Sequence, residues 1–217
     1  MDKKIPDTKD HGEKKNSAQF FKTDLKDGVL MCNILSGKAF VSDIPEFLKK
    51  LKKISDDSGV YIICLNEENI AGTDHVKAAI KHASRSFFED KPISKSFEME
   101  VLLYTGGTRQ CSEAGIFGLM KGENEIYTCI CRYEKKSGIL EEEIPEFLEY
   151  DEIFDKTKDS LCEIITFSDS LPLEMSTEKK ERLKKIFEIT NAEIKCTGEE
   201  RFSEIVIERV ALLDVNK

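Results

Sequence analysis

The chain has 217 residues, a net charge of −9, 40% apolar residues and 35% charged ones. That length fits one domain with appendages, and the apolar fraction is enough for a core. The charge excludes a generally cationic nucleic-acid binder. No run of about 18 apolar residues and no secretory apolar centre is found, so no membrane helix is expected and the expected location is the cytoplasm.

Residues 1–27 are dominated by polar side chains of mixed charge and read as a loose tail before a single domain spanning 28–217. Val29–Leu35 is a short apolar run of the kind that forms a buried strand, and Ser36-Gly37 is expected to turn the chain. Ser42 or Asp43 then caps a helix whose apolar residues are Ile44, Phe47, Leu48, Leu51 and Ile54, and Gly59 ends it. Val60–Leu65 is a second strand, rich in β-branched side chains.

Thr73 or Asp74 opens a helix with Val76, Ala79, Ile80 and Ala83 inward, and Asp90-Lys91-Pro92 breaks it. His75 and His82 are expected near its edges. Ser96 caps a further helix that Gly106-Gly107 stops, although Val101–Tyr104 is also compatible with a strand. Thr108 caps a short helix carrying Cys111, Ala114 and Phe117, and Glu125–Tyr133 alternates as a third strand.

The stretch from about 134 to 160 reads as an acidic insertion, a loop with a single helical turn. Between Glu141 and Glu163 it sets ten acidic residues against Lys156 and Lys158. Cys162–Phe167 is a fourth strand. Ser176 or Thr177 caps a helix with Leu183 and Phe187 inward, Glu200–Ile207 is helical, and Val210–Val215 is a closing strand. Strands alternating with helices give the fold class α/β (α+β), one domain with a mixed central sheet packed by helices.

Cofactor motifs are missing. Gly106-Gly107-Thr108-Arg109 lacks the spacing and lysine of a nucleotide cradle, and Gly115, Gly118 and Gly122 give no dinucleotide fingerprint. Three histidines do not readily build a triad or a histidine-rich metal centre. The seven cysteines read as free thiols. Cys129 and Cys131 point to one face of a strand, with no second pair at metal-ligand spacing. An enzyme built on Cys111, Cys129 or Cys131 would need an exposed thiol beside a base. Binding is therefore favoured over catalysis, with no cofactor.

The segment Ile70–Gly118 resembles the tRNA-recruiting, kinase-binding subunit of the KEOPS complex. The likeness rests on His75-Val76, Ala78-Ala79-Ile80, Pro92-Ile93, Ser96, Glu100, Val101-Leu102-Leu103, Gly106-Gly107, Gln110, Glu113-Ala114 and Gly118. The ending Ile207–Val215 is similar as well. Cys111, where an isoleucine is common, and Gly115 depart from the pattern. The resemblance implies a non-catalytic subunit of a tRNA threonylcarbamoyladenosine assembly. Its partners would be the small kinase/ATPase-like subunit and the single-stranded 3′ CCA end of tRNA.

On that reading the RNA site is Gly106, Gly107, Thr108, Arg109 and Gln110, with Arg85, Lys91 and Lys95 nearby for phosphates. Glycine-turn amides at a helix start offer an anion site, a guanidinium stacks, and a carboxamide reads a base edge. The kinase face is assigned to Phe202, Ile205, Val206 and Arg209 near the C-terminus, provided that the apolar stripe is exposed. The alternative is a regulator of the kinase-like subunit that does not touch RNA, which the acidic balance favours.

Overall fold

The computed structural model describes residues 18–89, 91–136, 147–172 and 175–215. Five strands make one sheet: β1 (Ala18–Leu25), β2 (Gly28–Val41), β3 (Tyr61–Asn66), β4 (Gly122–Lys135) and β5 (Thr166–Phe167). Their order is β1-β2-β4-β3, with β5 also beside β2, and every pairing is antiparallel. The α/β domain forms as expected, but its sheet is not mixed. A two-residue hairpin joins β1 to β2, and β3 meets β4 with opposite direction, so no parallel crossover is needed.

Both faces of the sheet are covered, which explains the near-continuous apolar run in β2. Leu30, Cys32 and Ile34 face one layer with Tyr127, Cys129 and Cys131 of β4. Met31, Leu35, Ala39 and Val41 face the other with Ile126 and Ile130. The first layer is built by α2 (Thr73–Glu89), α3 (Phe97–Gly106), α6 (Thr177–Ile186) and α8 (Phe202–Val215). The second is built by α1 (Ile44–Ser58) and α5 (Phe147–Leu161). Two short helices, α4 (Cys111–Ala114) and α7 (Asn191–Thr197), complete the chain.

Local chemistry sets most boundaries. Asp43 caps α1 by accepting from the Glu46 amide at 2.8 Å, and Gly59 closes it at φ 65°. Ser96 caps α3 through the Met99 amide, which settles Val101–Tyr104 as helix. The α2–α3 loop is held by Glu100, a fully buried carboxylate that accepts from the Ser86 hydroxyl at 2.5 Å and the amides of Ile93 and Ser94. Three donors on one buried carboxylate replace the water it lost.

Several expectations are corrected. The tail does not extend to residue 27, because Ala18–Leu25 alternates well enough to pair with β2, with Thr23 and Leu25 buried. Residues 1–17 lie outside the described residues. Ser36-Gly37 does not turn the chain, and β2 runs on to Val41. Here a glycine permits close approach: a Cβ at Gly37 would lie 2.8 Å from the Thr166 carbonyl in β5.

The second half of the acidic insertion is a 15-residue helix, not a loop. Phe154 and Leu161, two turns apart, are buried against the sheet while the acids around them face water. Residues 137–146 of that insertion lie outside the described residues. The strand expected at Cys162–Phe167 shrinks to Thr166–Phe167. Val210–Val215 is the end of α8 and not a strand, because Phe202, Ile205, Val206, Val210 and Leu213 recur at helical spacing against the core.

Candidate functional site

The glycine corner closes α3. Gly107, at φ 59°, is the left-handed residue of a paired cap in which its own amide donates to the Tyr104 carbonyl and the Thr108 amide to Leu103, each at 3.1 Å. A Cβ on Gly107 would stand 2.9 Å from the Arg209 carbonyl, so only glycine lets α8 pass this close. Thr108 then folds over the start of α4: its hydroxyl donates to Glu113 and accepts from the Gln110 amide. The Gln110 carbonyl accepts from the amides of Glu113 and Ala114 at 3.0 Å.

This corrects the expected amide cradle. The amides of Gly107, Thr108 and Gln110 are occupied by the helix cap and by Thr108, so they do not form an open anion nest. What the corner presents outward is the side chains of Arg109 and Gln110, both exposed. Beside it lies a cleft bounded by Gly106, Thr108, Glu113, Ile116, Glu188 and Arg209. Glu113 and Glu188 give that cleft a partly acidic wall.

Arg85, Lys91 and Lys95 are exposed but do not join this corner. α2 and α3 run antiparallel, with His75 meeting Thr105 and Ser86 meeting Glu100. Lys95 therefore sits at the start of α3 and Gly107 at its end, separated by about 15 Å of helical rise. The eight residues expected at the RNA site form two separate groups.

On α8 the expected apolar stripe is not exposed. Phe202, Ile205 and Val206 are 3%, 3% and 0% exposed and belong to the core. Their spacing matches a helix that lies on a sheet, which is the competing explanation for the same pattern. Arg209 is half-buried. It pairs with Glu193 of α7 and donates toward the Phe187 carbonyl. Glu193 is held down at about 2 by the Thr190 amide, by Arg209 and by the Thr190 hydroxyl. The face that α8 turns outward carries Glu204, Glu208, Leu212 and Val215, with Leu212 40% and Val215 78% exposed. Their spacing of four, four and three residues was legible in the sequence once the segment was taken as one helix.

A polar cluster that sequence reasoning missed ties the end of α8 to its neighbours. Asp214 accepts from the Tyr104 hydroxyl at 2.5 Å and from His82 Nδ1–H at 2.5 Å, and the His82 ring stacks on Tyr104 at 6.1 Å. These residues are up to 132 positions apart in the chain, so no local pattern connects them. His75, expected at a helix edge, is fully buried. It accepts from the Ala71 amide on Nδ1 and donates from Nε2 to the Thr105 carbonyl. Burial lowers its pKa to about 4, so the ring is a neutral structural link.

Cys32, Cys129 and Cys131 are fully buried, with the Sγ atoms of Cys32 and Cys131 3.1 Å apart, and burial raises the thiols of Cys32 and Cys131. Cys111 is exposed at the start of α4. Among the described residues no group of three or more His, Cys, Asp or Glu is arranged to hold a metal, and no helix is long and apolar enough to cross a membrane.

Residues 40–214 match the family model described as kinase binding protein CGI-121. The match covers most of the chain, which therefore belongs to that family. No curated protein matches it.

Proposed function

We propose that this kinase-binding family member is a non-catalytic subunit of a KEOPS-type assembly that makes threonylcarbamoyladenosine in tRNA. The kinase/ATPase-like subunit docks on the outer face of α8, and the exposed Arg109-Gln110 corner takes the 3′ CCA end of tRNA. The observation that carries the kinase surface is the division of α8 into two faces. One is core, and the other exposes Leu212 and Val215 beside the carboxylates of Glu204 and Glu208. Exposed aliphatic side chains on a helix anchored by its opposite face make a rigid docking ridge with little left to order on binding.

At the corner, a guanidinium and a carboxamide on a turn fixed by the α3 cap can stack on one base and bond the edge of the next. The test is titration of the full chain with the purified kinase-like subunit, and separately with tRNA that has or lacks its CCA end. Leu212→Asp should weaken kinase binding about tenfold, as loss of a mid-sized interface anchor does. Arg109→Glu should weaken binding of intact tRNA and leave the kinase unaffected. Kinase binding unchanged in Leu212→Asp would remove the α8 face from the account.

A second reading, a kinase regulator that leaves RNA alone, is favoured by the net charge of −9 and by the occupied amides of the glycine corner. Equal affinity for tRNA with and without CCA would select it.

A further inference from the structure

At the opposite end of α8 from Leu212 and Val215, the beginnings of α2, α6 and α8 converge on a cavity of about 510 Å³. The size suits a small-molecule site. α2 starts there after Gly72, which stands at φ 90° and has no side chain with which to cap the first-turn amides, and among the described residues nothing stands within 4 Å of where its Cβ would be. The positive end of a 17-residue helix therefore lies at the cavity wall.

A second feature points to the same place. Tyr127 of β4 lines the cavity, is fully buried, and has a hydroxyl with no hydrogen-bond partner among the described residues. A buried hydroxyl in that state is uncommon in folded proteins. Burial, and after it Glu67, raise its phenol pKa, so it stays protonated and available as a donor.

Charge around the cavity selects the ligand class. Glu67 is neutralised by Lys179, and Asp74 pairs with Lys77. Among the described residues that leaves the ammonium of Lys180 on one wall and the exposed carboxylates of Glu199 and Glu200 on another. A simple polyanion would be repelled by these two carboxylates, and a simple cation would meet the positive end of α2. We infer that this cavity binds a small zwitterion, with its oxyanion at the α2 N-terminus, Tyr127 and Lys180, and its ammonium at Glu199 and Glu200. The site shares no lining residue with the α8 ridge or the Arg109 corner, and the inference does not rest on either.

The test is amide-resolved NMR titration of the full chain with phosphoethanolamine, glycine, inorganic phosphate and methylamine. The first two carry both charges, on a phosphate and a carboxylate respectively. The expected result is saturable shifts at Thr73, Asp74 and Ser203 with at least one zwitterion, and weaker binding of phosphate or methylamine alone. Tyr127→Phe should keep the fold, since among the described residues its hydroxyl makes no hydrogen bond, and should lose about three- to tenfold in affinity, the range for one hydrogen bond. Lys180→Ala should reduce affinity as well. Shifts that do not saturate with either zwitterion, phosphate binding as tightly as phosphoethanolamine, or unaltered affinity in Tyr127→Phe each overturn the inference. Binding of a CCA trinucleotide here in place of both zwitterions overturns it in favour of an RNA end.

Discussion

Gly107 and His75 show how single residues carry structure here. Gly107 needs both a left-handed backbone and the absence of a Cβ, because α8 passes 2.9 Å from where one would stand. Gly107→Ala should cost at least about 1–2 kcal/mol from the backbone alone, with further loss as α8 is pushed away. Urea unfolding measures it. His75 is neutral and bonded at both nitrogens, and its pKa falls from 6.5 to about 4 in the fold. The unfolded chain therefore takes up a proton first as pH drops. The stability His75 contributes is complete above pH 6.5 and declines between 6.5 and 4, by at most about 3 kcal/mol. Urea midpoints at pH 7 and 4.5 should differ more in the wild type than in His75→Gln. Equal differences would mean that the ring does not titrate this way. Neither role was visible locally, since a glycine pair reads as a helix stop and a histidine on a helix as a boundary residue.

At the scale of elements, α5 and the end of α8 depart from the sequence reading for the same reason. Charge and β-branched residues dominate their local composition, while their secondary structure is decided by which face meets the sheet. In α5 the acidic run hides Phe154, which is 2% exposed and whose ring lies 5.8 Å from that of Phe20 in β1. Phe154→Ala should cost about 3–5 kcal/mol and should loosen β1, an edge strand, as read by hydrogen exchange of its amides. In α8, Ile205 is core. Ile205→Arg buries an unpaired charge and should unfold the isolated chain, by circular dichroism, whereas Leu212→Asp should leave the spectrum unchanged. A folded Ile205→Arg chain would mean that α8 sits more loosely on the core than described.

For the molecule as a whole, three layers bury two apolar faces of one antiparallel sheet, and among the described residues Glu100 is the only Asp, Glu, Lys or Arg buried with them. Because the basic residues of the expected RNA site fall at two ends of α3, few phosphates can be met at once. The tRNA binding proposed above should therefore depend only weakly on salt, with a log–log slope of about −1 to −3. A steeper slope would require a continuous cationic track that the placement of Arg85, Lys91, Lys95 and Arg109 does not provide.

Several features were fixed by the chain on its own. Asp43, Gly59, Ser96 and Gly107 delimit α1 and α3, and the β-branched runs of β2, β3 and β4 mark their strands, because caps and turns act over three or four residues. The resemblance carried by Ile70–Gly118 pointed to the family that the match over 40–214 establishes. Packing decided the rest: that Ala18–Leu25 joins the sheet, that Phe202 and Ile205 turn inward while Leu212 turns outward, and that Asp214 meets His82 and Tyr104. These outcomes depend on pairings between residues far apart in sequence. A periodic apolar stripe gives the spacing of a buried face but does not identify the surface that buries it.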